Sequence, residues 1–349
     1  MRINFLLPHL KISGGVRVIL TYADLLAKKG HEVKVIVQSR RWTRHIFNLL
    51  GIKPSWFRNL SAKVLRVNEF SEIAIPDADI LVMDSWKVVQ VASRLSDKKG
   101  SRFHFVQHDE RLYHGPAGEV DEVYRLPIKK VVVSSWLKEV FARDYHIETE
   151  LLLNTVDRDL FHPVAIAKDN LIIKILLLHH PYTWKGTEEG IALVQKLKER
   201  YPNIKLILFG ARNEKIDLSC DEYYYNLPQE KLAWLYSSCD IFLCPSWDEG
   251  FGLPSLEAMA CKCAVVTYDN GGSRDYAFDP HTSRGVGIDG QTALVAKRRD
   301  LEDLYNKLKL AVRDENLRKN IAENGYNFVT NMPTWQEQAE KLERMLSKQ

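Results

Sequence analysis

The sequence contains no apolar stretch approaching the eighteen or so residues that a membrane span requires. It also has no low-complexity tract and no internal repeat, so its 45% apolar and 27% charged residues read as an ordinary globular composition. Strong charge is missing too. A formal net charge of +4 lies well below the basic bias usual in nucleic-acid binders. The first half has no cysteine, and the five that follow (Cys220, Cys239, Cys244, Cys261 and Cys263) are odd in number and set among apolar residues. That usage predicts reduced, buried thiols in a cytoplasmic protein rather than a disulfide framework. Cys261 and Cys263 have no second pair at zinc spacing, so no metal site is expected. The opening "MRINFLLPHL" is only briefly apolar before Pro8 and reads as a first β-strand, not a signal peptide.

At 349 residues the chain suits two domains of similar size rather than one core. Short apolar runs alternate with amphipathic helical stretches throughout. Strands are predicted at 3–7, 32–37, 80–83, 103–107, 130–133 and 150–153, with helices at 16–29, 87–95 and 135–145. A polar, proline-containing linker follows near residues 154–170. The pattern then restarts, with strands at 172–178, 205–209, 241–244 and 264–268 and helices at 187–200, 228–238, 254–261 and 301–313. The expectation is α/β: two doubly wound, Rossmann-like domains, 1–160 and 161–333, with ligands bound beyond the carboxyl ends of their strands in a cleft.

Four places in that framework have residues suited to chemistry. The loop "PHLKISGGVRVIL" leaves the first strand and passes Gly14-Gly15 before a helix, where free amides favour a phosphate or a sugar hydroxyl; a plain glycine turn is the alternative. In "SWDEGFGLPSLEAMA", Gly250 and Gly252 can expose amides near Phe251 and Leu253, and Pro254 suits a first helical position. Glu249 precedes that turn and Glu257 lies a turn into the helix, where carboxylates can accept bonds from vicinal hydroxyls. A capping box does not explain Glu257, because Pro254 stands three residues earlier. Lys185, in "WKG" just before a helix, can neutralise phosphate oxygens, and His108 in "VQHDE" ends a strand on the cleft side.

These residues resemble the family-four glycosyltransferases of the GT-B fold. The resemblance rests on "EGFGLPSLEAMA" and, in order, the Gly14-Gly15 loop, His108, "LLLNTVDRDLF", "WKG", "LYSSCDIFLCPS" and "DNGGSRDYA". It implies that Glu257 binds the ribose of a nucleotide-diphosphate-sugar donor and Glu249 the sugar, with amides around Gly250–Gly252. Lys185 would contact the diphosphate, the Gly15 amide would approach it from the first domain, and His108 would lie near the donor sugar. A C-terminal helix within 334–349 would pack back on the first domain. Two departures stand out: Thr155 replaces a usual glycine, and His180 occupies the position of a usual diphosphate-binding arginine. The charge there would then be reduced or pH-dependent, with Arg212 and Arg274 as candidate compensating cations.

The implied reaction is retaining transfer to a glycan or lipid-linked acceptor hydroxyl, with UDP or GDP as the donor's nucleotide and no metal or other cofactor. The "DADI" sequence at Asp77–Asp79 mimics a metal motif but sits at a strand entry, where acids serve as turn residues. From Val33 to Asn68 there is no acidic residue, while eight cations are interleaved with Trp42, Phe47, Trp56 and Phe57. Region 40–58 is therefore a candidate surface for an anionic membrane on the cytoplasmic face, or for an acidic acceptor. The competing readings are a non-catalytic sugar-binding or partner subunit that keeps the fold, and a hydrolase or phosphorylase. Glycosidase carboxylates, at about 5–10 Å apart across one sugar, differ from two acids expected to grip separate parts of a donor.

Overall fold

The computed structural model describes residues 1–349 except 40, 41, 58, 168, 170, 212–218, 281–289 and 349. The chain divides into two units, Met1–Asn154 with Trp335–Gln349, and Thr155–Thr334. Each is a parallel sheet with interleaved helices.

In the first unit the elements run β1 (Arg2–Leu7), α1 (Gly14–Lys28), β2 (Glu32–Gln38), α2 (Arg44–Leu49), β3 (Lys63–Val67), β4 (Ile80–Asp84), α3 (Trp86–Ala92), β5 (Ser101–Val106), α4 (Ala117–Arg125), β6 (Lys129–Val132), α5 (Ser135–Tyr145) and β7 (Glu150–Leu151). The strand order is β3-β2-β1-β4-β5-β6-β7, all parallel, so the winding reverses between β1 and β4, where Ile3 pairs with Ile80 and Leu6 with Met83. The strands are almost continuously apolar because both faces are covered. Asp77 and Asp79 are structural here: Asp77 accepts from Lys99 at 2.8 Å and Asp79 from Arg2 at 2.7 Å. The last helix, α11 (Trp335–Ser347), belongs to this unit; Trp335 meets Tyr22 of α1 edge-on at 5.3 Å, and Glu343 takes Lys29 and His31.

The second unit comprises β8 (Ile173–Leu178), α6 (Thr187–Lys198), β9 (Ile204–Gly210), β10 (Glu222–Tyr225), α7 (Gln229–Ser238), β11 (Ile241–Cys244), α8 (Leu253–Ala260), β12 (Ala264–Tyr268), β13 (Ala293–Ala296), α9 (Leu301–Arg313) and α10 (Glu315–Thr330). Its order is β10-β9-β8-β11-β12-β13, again all parallel, with the reversal between β8 and β11. The core joins Leu177, Leu206, Leu243 and Val266 from the sheet to Leu193, Leu197, Leu304 and Leu308 from the helices. All five cysteines are free thiols and four are buried. In doubly wound sheets ligands bind outside the carboxyl ends of the strands, at the reversal. That rule directs attention to the loops after β8 and β11 in this unit, and after β1, β4 and β5 in the other.

Candidate active site

The loop after β8 folds through a tight turn at Thr183–Lys185 and enters α6 at Gly186. Gly186 has φ +67, and a Cβ there would lie 2.2 Å from the carbonyl oxygen of Pro245, so only glycine lets this loop touch the one after β11. The Trp247 amide donates to the Trp184 carbonyl at 2.8 Å, fastening the two loops. As a result Lys185 Nζ reaches Glu249 Oε1 at 2.6 Å, both side chains being largely covered.

Glu249 is fixed through its backbone as well. Its N–H donates to the Asn270 carbonyl at 2.8 Å and its own carbonyl accepts from Gly272 at 3.0 Å, a single parallel bridge beyond the end of the sheet. A Cβ on Gly272 would stand 2.5 Å from the backbone of Phe251, which explains a glycine with no unusual backbone angle. Gly252, at φ +90, is the N-cap of α8, and its carbonyl accepts from the Tyr276 hydroxyl at 3.0 Å. Phe251 is buried with its ring 5.5 Å from that of Tyr276, so its side chain belongs to the core. Leu253, not Pro254, is the first helical residue; Pro254 follows in the first turn, where a missing N–H costs little. Glu257 is only 7% exposed and accepts from the Tyr236 hydroxyl of α7 at 3.1 Å.

His180 is held by its neighbours. Its Nδ1 accepts the Tyr182 N–H at 3.2 Å, which places the hydrogen of the neutral ring on Nε2, and its ring centroid is 4.5 Å from that of Tyr182. Arg274 spends its fork on Asp269, at 2.6 and 3.2 Å, and Arg212 lies outside the described residues.

In the first unit the helix begins earlier than periodicity indicates. Gly14 and Gly15 form the first turn of α1, and Ser13 caps it by accepting the Val16 N–H at 3.3 Å. Gly15 is crowded by Gln107, whose Nε2 would lie 3.0 Å from an added Cβ. The same Nε2 donates to the Gly15 carbonyl and to Asp84 Oδ1, each at 3.0 Å, linking the ends of β1, β4 and β5. His108 follows in the loop after β5, with Nδ1 3.0 Å from the Asp109 carbonyl; a carbonyl only accepts, so Nδ1 carries the hydrogen. The His108 ring meets His114 edge-on at 5.2 Å, with Trp136 at 6.4 Å. Asp109 is buried against Arg111 and serves structure. Glu110 accepts from the Trp86 amide at 2.8 Å, and burial together with the nearby Asp84 carboxylate pushes it up to about 8. Burial also raises Asp84, to about 6, against the opposing bond from Gln107.

The residues singled out from sequence thus fall into two groups. Lys185, Glu249, Gly250, Gly252, Glu257 and His180 gather on three neighbouring elements of the second unit, and Gly14, Gly15 and His108 at strand ends of the first. Sequence reasoning missed the supports Tyr236, Gln107 and Arg298. The first sits in a run that reads only as an amphipathic helix; Gln107 acts across 23 and 92 positions of chain, and Arg298, which donates to Asp248, across 50.

Among known proteins, residues 164–328 match the family described as "Glycosyl transferases group 1". A Campylobacter jejuni relative, N,N'-diacetylbacillosaminyl-diphospho-undecaprenol alpha-1,3-N-acetylgalactosaminyltransferase, is 28% identical over 200 residues, 56% of this chain and 44% of that protein. The capsular polysaccharide biosynthesis glycosyltransferase CapM of Staphylococcus aureus is 25% identical over 46% of this chain and 42% of its own. The match therefore spans less than half the length of each of these two relatives. In fold, Thermosynechococcus elongatus sucrose-phosphate synthase superposes with a TM-score of 0.77 at 16% identity, over 99% of this chain and 98% of its own. Anabaena HepE, solved with UDP and glucose, superposes with 0.75 at 14% identity over the whole of both chains. Residues 164–328 thus match the group 1 glycosyltransferases, and the chain as a whole has the GT-B fold of the solved glycosyltransferases it superposes on.

Proposed function

We propose that the protein transfers a sugar from a nucleotide-diphosphate-sugar to an acceptor hydroxyl with retention of configuration, in the synthesis of a surface glycan, polysaccharide or glycolipid. The observation that carries this reading is the Lys185–Glu249 pair, 2.6 Å apart, beside a helix start with no side-chain cap and one turn from the buried Glu257. A cation, a run of backbone amides and two separated carboxylates provide for the parts of such a donor. Lys185 and the α8 entry would take the diphosphate and stabilise the charge that develops on it as the glycosidic bond breaks. Glu249, released in part from Lys185 when phosphate arrives, would take the sugar hydroxyls, and Glu257 the ribose. In front-face attack the departing phosphate oxygen accepts the acceptor's proton. His180 then contributes an N–H donor rather than a second cation, because its Nδ1 is committed to the Tyr182 amide.

Support comes from the family match over 164–328 and from relatives named for sugar transfer in capsule and lipid-linked glycan synthesis. UDP is the nucleotide named with the HepE structure, which makes uridine the first base to try. The test is turnover of UDP- and GDP-sugars with excess chelator present. Lys185→Ala should lower kcat by roughly 10²- to 10³-fold; unchanged turnover would remove Lys185 from the diphosphate. Activity abolished by chelator would reject the metal-free reading, and hydrolysis without acceptor would favour a hydrolase.

A lipid-linked acceptor is favoured by the surface around α2. Trp42 is 80% exposed and Leu49 86%, with Ile46 and Leu50 also exposed, amid a segment that carries no acid. The other aromatics are less available: Phe47 packs under Arg66 at 5.2 Å and the Trp56 indole donates to the Leu10 carbonyl at 3.0 Å. The proposed membrane contact is therefore Trp42, Leu49 and Leu50. Co-sedimentation with anionic but not neutral vesicles, lost in Trp42→Ser/Leu49→Ser, is expected; equal binding by the variant would reject it.

A further inference from the structure

The two residues ahead of Glu249 are gripped from the far edge of the sheet. Asp248 is 1% exposed, and Arg298 donates to its Oδ1 from Nε at 2.9 Å and from Nη2 at 2.5 Å. The next residue, Arg299, holds its guanidinium 4.0 Å over the Trp247 ring. On its other side Trp247 donates its indole N–H to both oxygens of Glu189, at 3.1 and 3.0 Å. Arg299 sits at φ +59, a left-handed conformation that long side chains avoid, between the end of β13 and the Asp300 cap of α9. An unfavourable backbone angle persists where its surroundings fix it, and here those surroundings are the loop that carries Glu249.

We propose that Arg298 and Arg299 are positioning residues for the donor site: they fix Trp247 and Asp248 and so set where Glu249 and Lys185 meet. The link is covalent on one side, since Glu249 follows Asp248 directly. On the other side it runs through the Trp247 amide, whose bond to the Trp184 carbonyl holds the residue next to Lys185. A carboxylate as buried as Asp248 holds a charge in place only while its partner remains, so the Arg298 fork locks the loop in one register. The stacked guanidinium of Arg299 adds a flat contact that a small side chain cannot supply. The inference rests on the reading above, in which Glu249 and Lys185 receive the donor.

Arg299 is exposed and makes the cleaner test, because Arg298→Ala strands a buried charge and can unfold the unit. Wild type, Arg299→Ala and Arg299→Lys are compared by amide hydrogen exchange without ligand and by calorimetric titration with UDP and with GDP. The expected result is faster exchange at Trp247 and Glu249 in Arg299→Ala, a Kd for the bound nucleotide raised roughly tenfold, and recovery of most of both in Arg299→Lys. Unchanged exchange overturns the proposal, as does faster exchange with an unchanged Kd, which would make the clasp a stabilising contact alone. If wild type binds neither nucleotide, the donor-site reading fails first, visibly before any variant is compared, and the clasp falls with it.

Discussion

Helices α1 and α8 each follow a strand that borders the reversal in its sheet, and each has glycine at its entry, but for different reasons. At α1 a side chain closes the entry: Ser13 takes the Val16 N–H, and Gly15 is small because Gln107 lies across it. At α8 the cap is Gly252 itself, left-handed and without a side chain to accept the first amides. A capped entry has one of its free amides met from within the chain. An uncapped one leaves N–H groups to be met from outside, and under the proposed function the donor's diphosphate meets them. Under that reading the same motif, strand then glycine then helix, is a side-chain-capped entry in one unit and an anion seat in the other.

The largest way to break this contrast is Gly252→Ala. Its Cβ would fall 2.4 Å from the Tyr276 hydroxyl at a backbone angle that alanine resists. A loss of about 2–4 kcal/mol in urea unfolding is expected, together with loss of activity; a variant as stable as wild type would mean the entry is not rigid. Gly15→Ala meets only the movable end of Gln107 and should cost far less. Next comes pH. Glu110 is raised from its ordinary 4.5 to about 8, so the folded chain keeps this proton where the unfolded chain has released it. Stability should then fall as pH rises from about 4.5 to about 8 and level off above, the slope being negative wherever the folded state binds more protons. Glu110→Gln keeps an acceptor for the Trp86 amide and should remove most of that fall, on the order of 4 kcal/mol, read from Tm between pH 5 and 9; parallel curves would show that Glu110 titrates normally. The smallest effect is Ser13→Ala, about 1 kcal/mol of stability, with the donor KM unchanged if capping is the whole role of Ser13.

Much of this was legible in the chain. The runs at Ile241–Cys244 and Ala264–Tyr268 and the helices at Ser135–Tyr145 and Leu301–Arg313 begin and end where periodicity places them, because each is bounded by a cap or turn residue. The elements left unassigned, β3, β10, β13, α2, α4 and α10, are short, at a sheet edge or weakly patterned. Glu249, Lys185 and Glu257 could be singled out as candidates because a glycine turn and a helix start constrain them locally. Their supports could not. Nothing near Glu257 points to Tyr236, and Asp248 meets Arg298 across 50 positions, a distance over which spacing has no meaning. The start of α1 was misplaced for a related reason: glycines read as a loop, whereas Ser13 had already begun the helix.

One consequence of the placement of α11 concerns synthesis rather than chemistry. The unit built from the middle of the chain, Thr155–Thr334, is complete once residue 334 has emerged. The unit that begins at Met1 must wait for Ala339, Leu342 and Leu346, all fully buried, and for Trp335 to cover Tyr22. A nascent chain thus finishes the later half first, and the earlier half spends that interval with one helix face uncovered. Truncation before Trp335 would leave the Thr155–Thr334 unit intact and strand the other in that unfinished condition.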